Sequence, residues 1–105
     1  MAYYENLPIY KKSIELAVFL ENVVRNFSRY NKYALGAELR DTSRQLFTLV
    51  IRANSQREKI STLIELRDSG EVMKALIVMA KEVKAFTNFK EFQQAAMLAS
   101  EIKLS

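Results

Sequence analysis

The 105-residue chain contains no cysteine, no histidine and no tryptophan, and only one proline and two glycines. Each absence removes a class of chemistry. Without cysteine and histidine there are no disulfides, zinc fingers, haem or iron–sulfur ligands, no thiol nucleophile and no imidazole base. A chain without cysteine fits a reducing compartment, and a cytoplasmic location is expected. Long apolar runs are missing too. The longest, Ala75 to Ala80, is six residues, against the roughly 20 that a membrane-spanning helix needs. No signal-peptide pattern is read, and no membrane partner is expected. What fills the chain is Ala, Leu, Glu, Lys, Arg and Met, with half of it apolar. That is the vocabulary of helices, so an all-α protein is expected. A length near 100 residues is one domain, residues 1–105, which buries about two-thirds of the surface of its unfolded chain.

Four helices follow from the periodicity. Pro8 suits a first helical turn, where its missing N–H would be unpaired anyway, and about 20 residues without breakers follow it. Ile9, Leu16, Leu20, Val23, Val24 and Phe27 share one broad face of that helix. Ser28 to Lys32 is polar and reads as a connection. A second helix from about Leu35 to Ala53, with Gly36 at its start, turns Leu35, Leu39, Leu46, Val50 and Ala53 inward. After Asn54–Ser55 the pattern resumes to about Phe86, but its apolar face changes direction. Ile60, Leu63 and Ile64 lie on one side, and Val72, Leu76, Met79 and Val83 almost opposite, which predicts a kink or break near Gly70. Asn88 stands three residues before Glu91, the spacing of an N-cap with a returning carboxylate, so a last helix starts there. Its apolar residues Phe92, Ala95, Ala96, Ala99 and Ile102 are mostly small. Short connections make the four an up-and-down antiparallel four-helix bundle.

The wheels hold more apolar surface than one such core requires. Ile14 and Val18 lie off the centre of the first stripe, Phe19 lies nearly opposite it, and Phe47 and Ile51 are displaced from the Leu39–Val50 stripe. Monomers seldom expose large contiguous patches, so Ile14, Val18, Phe47 and Ile51 read as an interface for self-association. Scattered surface hydrophobes are the plainer explanation.

The cations form a second pattern. Arg40 and Arg44, at i and i+4, flank Phe47 and Ile51, and Arg25 occupies the equivalent flank of the first helix. Lys11 and Lys12 open that helix, while Arg29 and Lys32 surround Tyr30 and Tyr33. Guanidinium groups beside aromatic rings can hold phosphates and stack on unpaired bases. Against this, Glu21 and Glu38 are close enough to pair with several of them, and the net charge of +4 is modest. Carboxylates at Glu58, Glu65, Asp68 and Glu71 could form an oxygen-only magnesium site. Arg57, Lys59, Arg67 and Lys74 interleave with them instead, as on an exposed helix face, and no phosphate-cradling glycine loop is present. The reading is therefore no enzyme, no metal and no cofactor. Met73, Met79 and Met97 read as core filling.

Three blocks carry a resemblance. Leu7-Pro8-Ile9-Tyr10-Lys11-Lys12, the run from Asn26-Phe27-Ser28-Arg29-Tyr30 through Asn31-Lys32-Tyr33-Ala34-Leu35-Gly36, and Ala80-Lys81-Glu82-Val83-Lys84 resemble, in order and spacing, the accessory variability determinant family of diversity-generating retroelements. A sister group is similar in pattern: the four-helix proteins encoded within intervening sequences of 23S ribosomal RNA genes. The resemblance implies a barrel-shaped homopentamer of four-helix bundles that binds RNA or DNA and associates with the retroelement's reverse transcriptase. That complex copies a template RNA with errors at adenines, and the cDNA replaces a variable repeat in a target gene. The implied role is binding and orientation, and the cations read above, Lys11, Lys12, Arg25, Arg29, Lys32, Arg40 and Arg44, are the expected contact set. Five subunits at +4 each would carry about +20, enough to make a modest monomer an effective polyanion binder. The chain departs from the family pattern at Glu101-Ile102-Lys103-Leu104-Ser105, where related chains often continue into a glycine-containing, Trp-bearing tail, and in having Ser28 where proline is common. The competing expectation is a helical protein–protein scaffold whose charges only keep it soluble.

Overall fold

A computed structural model describes residues 7–55 and 60–102. Five helices are present among them: α1 (Pro8–Val24), α2 (Arg29–Tyr33), α3 (Leu35–Ser55), α4 (Ile60–Glu82) and α5 (Phe89–Ser100). Pro8 opens α1 as its first helical residue. α1 packs on α3 and α5, α3 on α4, and α4 on α5. The four long helices therefore close a square around one core, with α1 diagonal to α4. Leu16, Leu20, Leu39, Leu46, Leu49, Met73, Ile77 and Leu98 are its largest buried members.

Three expectations change. The segment read as a plain connection, Ser28 to Lys32, holds most of the five-residue helix α2, which runs on to Tyr33. Ser28 is its N-cap, and its Oγ accepts a hydrogen bond from the Asn31 N–H at 3.4 Å. Polar composition hid a helix too short to show periodicity. Second, α4 runs through Gly70 without a break. Its buried positions are Thr62, Leu66, Ser69, Met73, Ile77 and Ala80, a continuous stripe that two polar residues disguise. Of the two apolar sets, Ile60, Ile64, Val72, Met79 and Val83 are exposed, Leu63 is half-buried, and Leu76 packs against the core from its edge. Third, of the three methionines only Met73 fills the core, whereas Met79 and Met97 face outward.

Other expectations hold. The inward stripe of α3 is buried as read, with Leu49 added. Asn88 caps α5 by accepting from the Glu91 N–H at 3.0 Å, and the Glu91 carboxylate returns to the Thr87 N–H at 2.8 Å, one residue earlier than the usual box. Ala95 and Ala99 are buried as expected, and Leu98 joins them.

The end of α4 stores a little strain. Ala85 N–H bonds back to the Ala80 carbonyl at 2.8 Å and Lys84 N–H to Lys81 at 3.0 Å, the pattern of a Schellman cap. Its turning residue, Lys84, has φ of 60°, a left-handed conformation that glycine adopts without a Cβ clash. Lys84→Gly is expected to raise stability by about 1 kcal/mol, read as an upward shift of the thermal midpoint, and an unchanged or lower midpoint would contradict the strain. The corner after this cap is tied to the α1–α2 corner by Phe27 and Phe86, edge to face at 5.6 Å between centroids. Both corners thus lie at one end of the bundle.

Candidate nucleic-acid interface

The seven cations of the expected contact set fall into three places. Lys11 and Lys12 lie on the first turns of α1, at the end opposite the Phe27–Phe86 contact. Lys12 Nζ sits 3.2 Å from Glu101 and 3.6 Å from Glu15. The hydrogen bond to Glu101, reinforced by the negative charge there and on Glu15, holds the Lys12 ammonium above the usual lysine range. Lys11 is exposed and in no ion pair among the described residues.

The second place is the groove between α1 and α3. Val18, Glu21, Asn22, Arg25 and Arg44 line it together, so helix packing joins Arg25 to Arg44 on α3. Glu21 occupies the middle. Arg44 Nη2 donates to its carboxylate at 2.7 Å, and Arg40 Nε stands 3.7 Å from the other oxygen, within ion-pair reach but too far for a hydrogen bond. One carboxylate thus shares two guanidiniums, leaving a net positive triad at the solvent boundary. Of the two acids weighed from the sequence, Glu21 is the one that pairs.

The third place is the α1–α3 corner. Arg29 is exposed and Lys32 half-buried, and neither is in an ion pair among the described residues. Tyr30 and Tyr33 beside them are 85% and 73% exposed. Sequence reasoning missed the facing corner, where Lys81, Lys84, Phe86, Phe89 and Phe92 line one groove. Its signal was a pair of lysines three apart followed by aromatics at 86, 89 and 92, split across the end of α4, the loop and the start of α5.

The expected interface residues are divided by the fold. Ile14 and Val18 are exposed. Phe47 and Ile51 are only half-exposed, because the Tyr10 ring of α1 lies over Phe47 at 5.3 Å between centroids. Phe19, placed opposite the core stripe by its helical angle, packs against the core from its edge. The larger apolar exposure lies on α4 and the residue after it, where Ile60, Ile64, Val72, Val78, Met79 and Val83 reach solvent.

The carboxylates weighed for magnesium do not converge. Glu65 faces Arg52 at 3.9 Å, Asp68 faces Arg67 at 3.8 Å and Glu71 faces Lys74 at 2.9 Å. Glu58, Arg57 and Lys59 lie outside the described residues, as does Lys103-Leu104-Ser105. Among the described residues no acidic cluster could hold a metal ion, and none of the helices is long and apolar enough to cross a membrane.

Among the described residues no ionisable side chain is buried, so every charge is presented on the surface of a helical bundle. Such a fold is a small all-α protein whose outward faces hold its cations and its exposed apolar side chains. The family model described as bAvd-like matches residues 8–103, which takes in all five helices. The chain belongs to that family, the accessory variability determinants of diversity-generating retroelements, whose members are non-catalytic accessory proteins. No curated protein and no solved structure matches it.

Proposed function

We propose that the protein binds the nucleic acid of a diversity-generating retroelement in the cytoplasm and partners its reverse transcriptase, as a non-catalytic homopentamer of one-domain subunits. The observation that carries the binding claim is the set of cations with no acidic partner. Lys11, Arg25, Arg29 and Lys32 stand in no ion pair among the described residues, and Arg40 and Arg44 have one carboxylate between them. Unpaired surface cations pay no ion-pair penalty when a phosphate replaces water.

Self-association fits the distribution of apolar surface. One patch, Ile14 and Val18, is on α1, and the larger one is on α4, its diagonal neighbour. Two different patches on opposite sides favour head-to-tail contacts, which close into a ring when the rotation permits. Phe47 and Ile51 belong to the rim of the α1 patch.

The test is binding of a labelled structured RNA by fluorescence anisotropy from low to physiological salt. The expected result is a linear fall of log affinity with log salt, with a slope near 0.9 for each duplex phosphate contacted. Absence of binding at low salt by folded, oligomeric protein would leave the second reading, a protein–protein scaffold.

A further inference from the structure

One end of the bundle presents rings and cations together, drawn from two corners distant in sequence. From the α1–α3 corner come Tyr30 and Tyr33, 85% and 73% exposed, with Arg29 beside them. From the α4–α5 corner comes Phe89, 60% exposed, its ring 5.4 Å from that of Phe92. Lys81 Nζ stands 5.1 Å from the Phe92 centroid, a cation beside one ring of this corner. Lys84 and Lys90 are exposed and in no ion pair among the described residues. Of the acids at this end, Glu82 pairs with Lys81 at 3.1 Å, and Glu91 accepts from the Thr87 N–H while keeping its charge. Glu38 remains, on the first turn of α3.

Three exposed aromatic rings at one end are costly for a monomer in water, and no described residue covers them. Duplexes bury the faces of their bases, whereas an unpaired strand offers both a flexible line of phosphates and open π faces. We propose that this end is a stacking platform for single-stranded nucleic acid, with bases on Phe89, Tyr30 and Tyr33 and phosphates on Lys84, Lys90 and Arg29. The platform rests on the nucleic-acid reading above and adds the ligand class: unpaired bases rather than duplex. It is separate from the α1–α3 groove, where no exposed ring lines the wall beside Arg25 and Arg44.

The test uses the full chain, an oligoadenylate of about 16 nucleotides and a blunt duplex of equal length. Tyr30→Ala with Phe89→Ala is expected to weaken single-strand binding by about tenfold per ring removed, with the duplex affinity and the salt slope little changed. Tyr30→Phe, which keeps the π face, should retain the affinity. Lys84→Ala with Lys90→Ala should instead lower the single-strand salt slope, by about 0.7 for each phosphate no longer held. The single Tyr30→Ala variant, at the most exposed ring, carries the same comparison should the double variant fail to fold. A wild-type protein that binds neither probe overturns the nucleic-acid reading and the platform with it. Wild-type binding that the ring substitutions leave within twofold, or weaken equally for strand and duplex, overturns the platform alone. A change in oligomer mass on substitution also overturns it, by assigning the rings to a protein contact.

Discussion

Gly36→Ala lowers the stability of the bundle by about 2 kcal/mol, a fall of roughly 10 °C in the thermal midpoint. Alanine in place of a helical glycine ordinarily stabilises, by about 1 kcal/mol, so the expected sign is the opposite of the helix rule. The reason is a close approach. A Cβ on Gly36 would stand 2.6 Å from Val24 Cγ1 and 3.1 Å from the Asn31 carbonyl oxygen. Val24 is fully buried and the carbonyl belongs to the backbone of α2, so neither can yield without moving the corner that joins α1 to α3. Gly70 supplies the control. A Cβ there meets nothing within 4 Å, and Gly70→Ala in the middle of α4 is expected to gain up to about 1 kcal/mol. Circular-dichroism melts of the two variants should move in opposite directions. A Gly36→Ala midpoint at or above wild type would mean that the corner adjusts, and that the approach of α1 to α3 is looser than 2.6 Å implies.

Arg40→Glu with Arg44→Glu weakens RNA binding on the order of 100-fold near 0.1 M salt, with the oligomer mass unchanged. The effect exceeds the loss of two cations. Glu21 now lies between the two guanidiniums, 2.7 Å from one and 3.7 Å from the other, and the reversal leaves it among like charges in the groove that Arg25 shares. Glu21→Gln is the complementary change. It removes the one acid that competes with phosphate for Arg40 and Arg44, and is expected to raise affinity several-fold and steepen the salt dependence. The Arg44–Glu21 pair lies at the solvent boundary, so Glu21→Gln should cost little stability. If the reversal dissolves the oligomer, the arginines belong to the subunit interface. If both variants bind RNA as wild type does, the groove is not the contact surface.

Much of the fold was legible because helical periodicity is local. The α1 stripe from Leu16 to Phe27 and the α3 stripe from Leu35 to Ala53 need only the 3.6-residue repeat to be read, and both are buried. The Asn88–Glu91 pair is equally local, a cap spanning three residues. α4 resisted the same method because its core stripe includes Thr62 and Ser69, while its solvent side carries Ile60, Ile64, Val72 and Met79. Where exposed positions are apolar and buried ones polar, hydrophobic pattern points to the wrong face. The Ser13 and Ser43 hydroxyls show how polar residues enter such stripes, each donating to a carbonyl three residues back, on Tyr10 and Arg40.

Of the site, the sequence identified which residue types were present and where they cluster along the chain. The arginine pair on one helix face, the tyrosines beside Arg29 and Lys32, and the family itself all come from residues near one another in order. Only the tertiary structure decided which of those charges are free. Glu21 reaches Arg44 across 23 positions, and Glu101 reaches Lys12 from the far end of the chain. It likewise covered Phe47 with Tyr10, and through Phe27 and Phe86 set Phe89, Lys84 and Lys90 at the same end as Tyr30. The division has a physical cause: backbone hydrogen bonding and capping act over three or four residues, whereas ion pairing and ring contact depend on which helix faces meet once the core has closed.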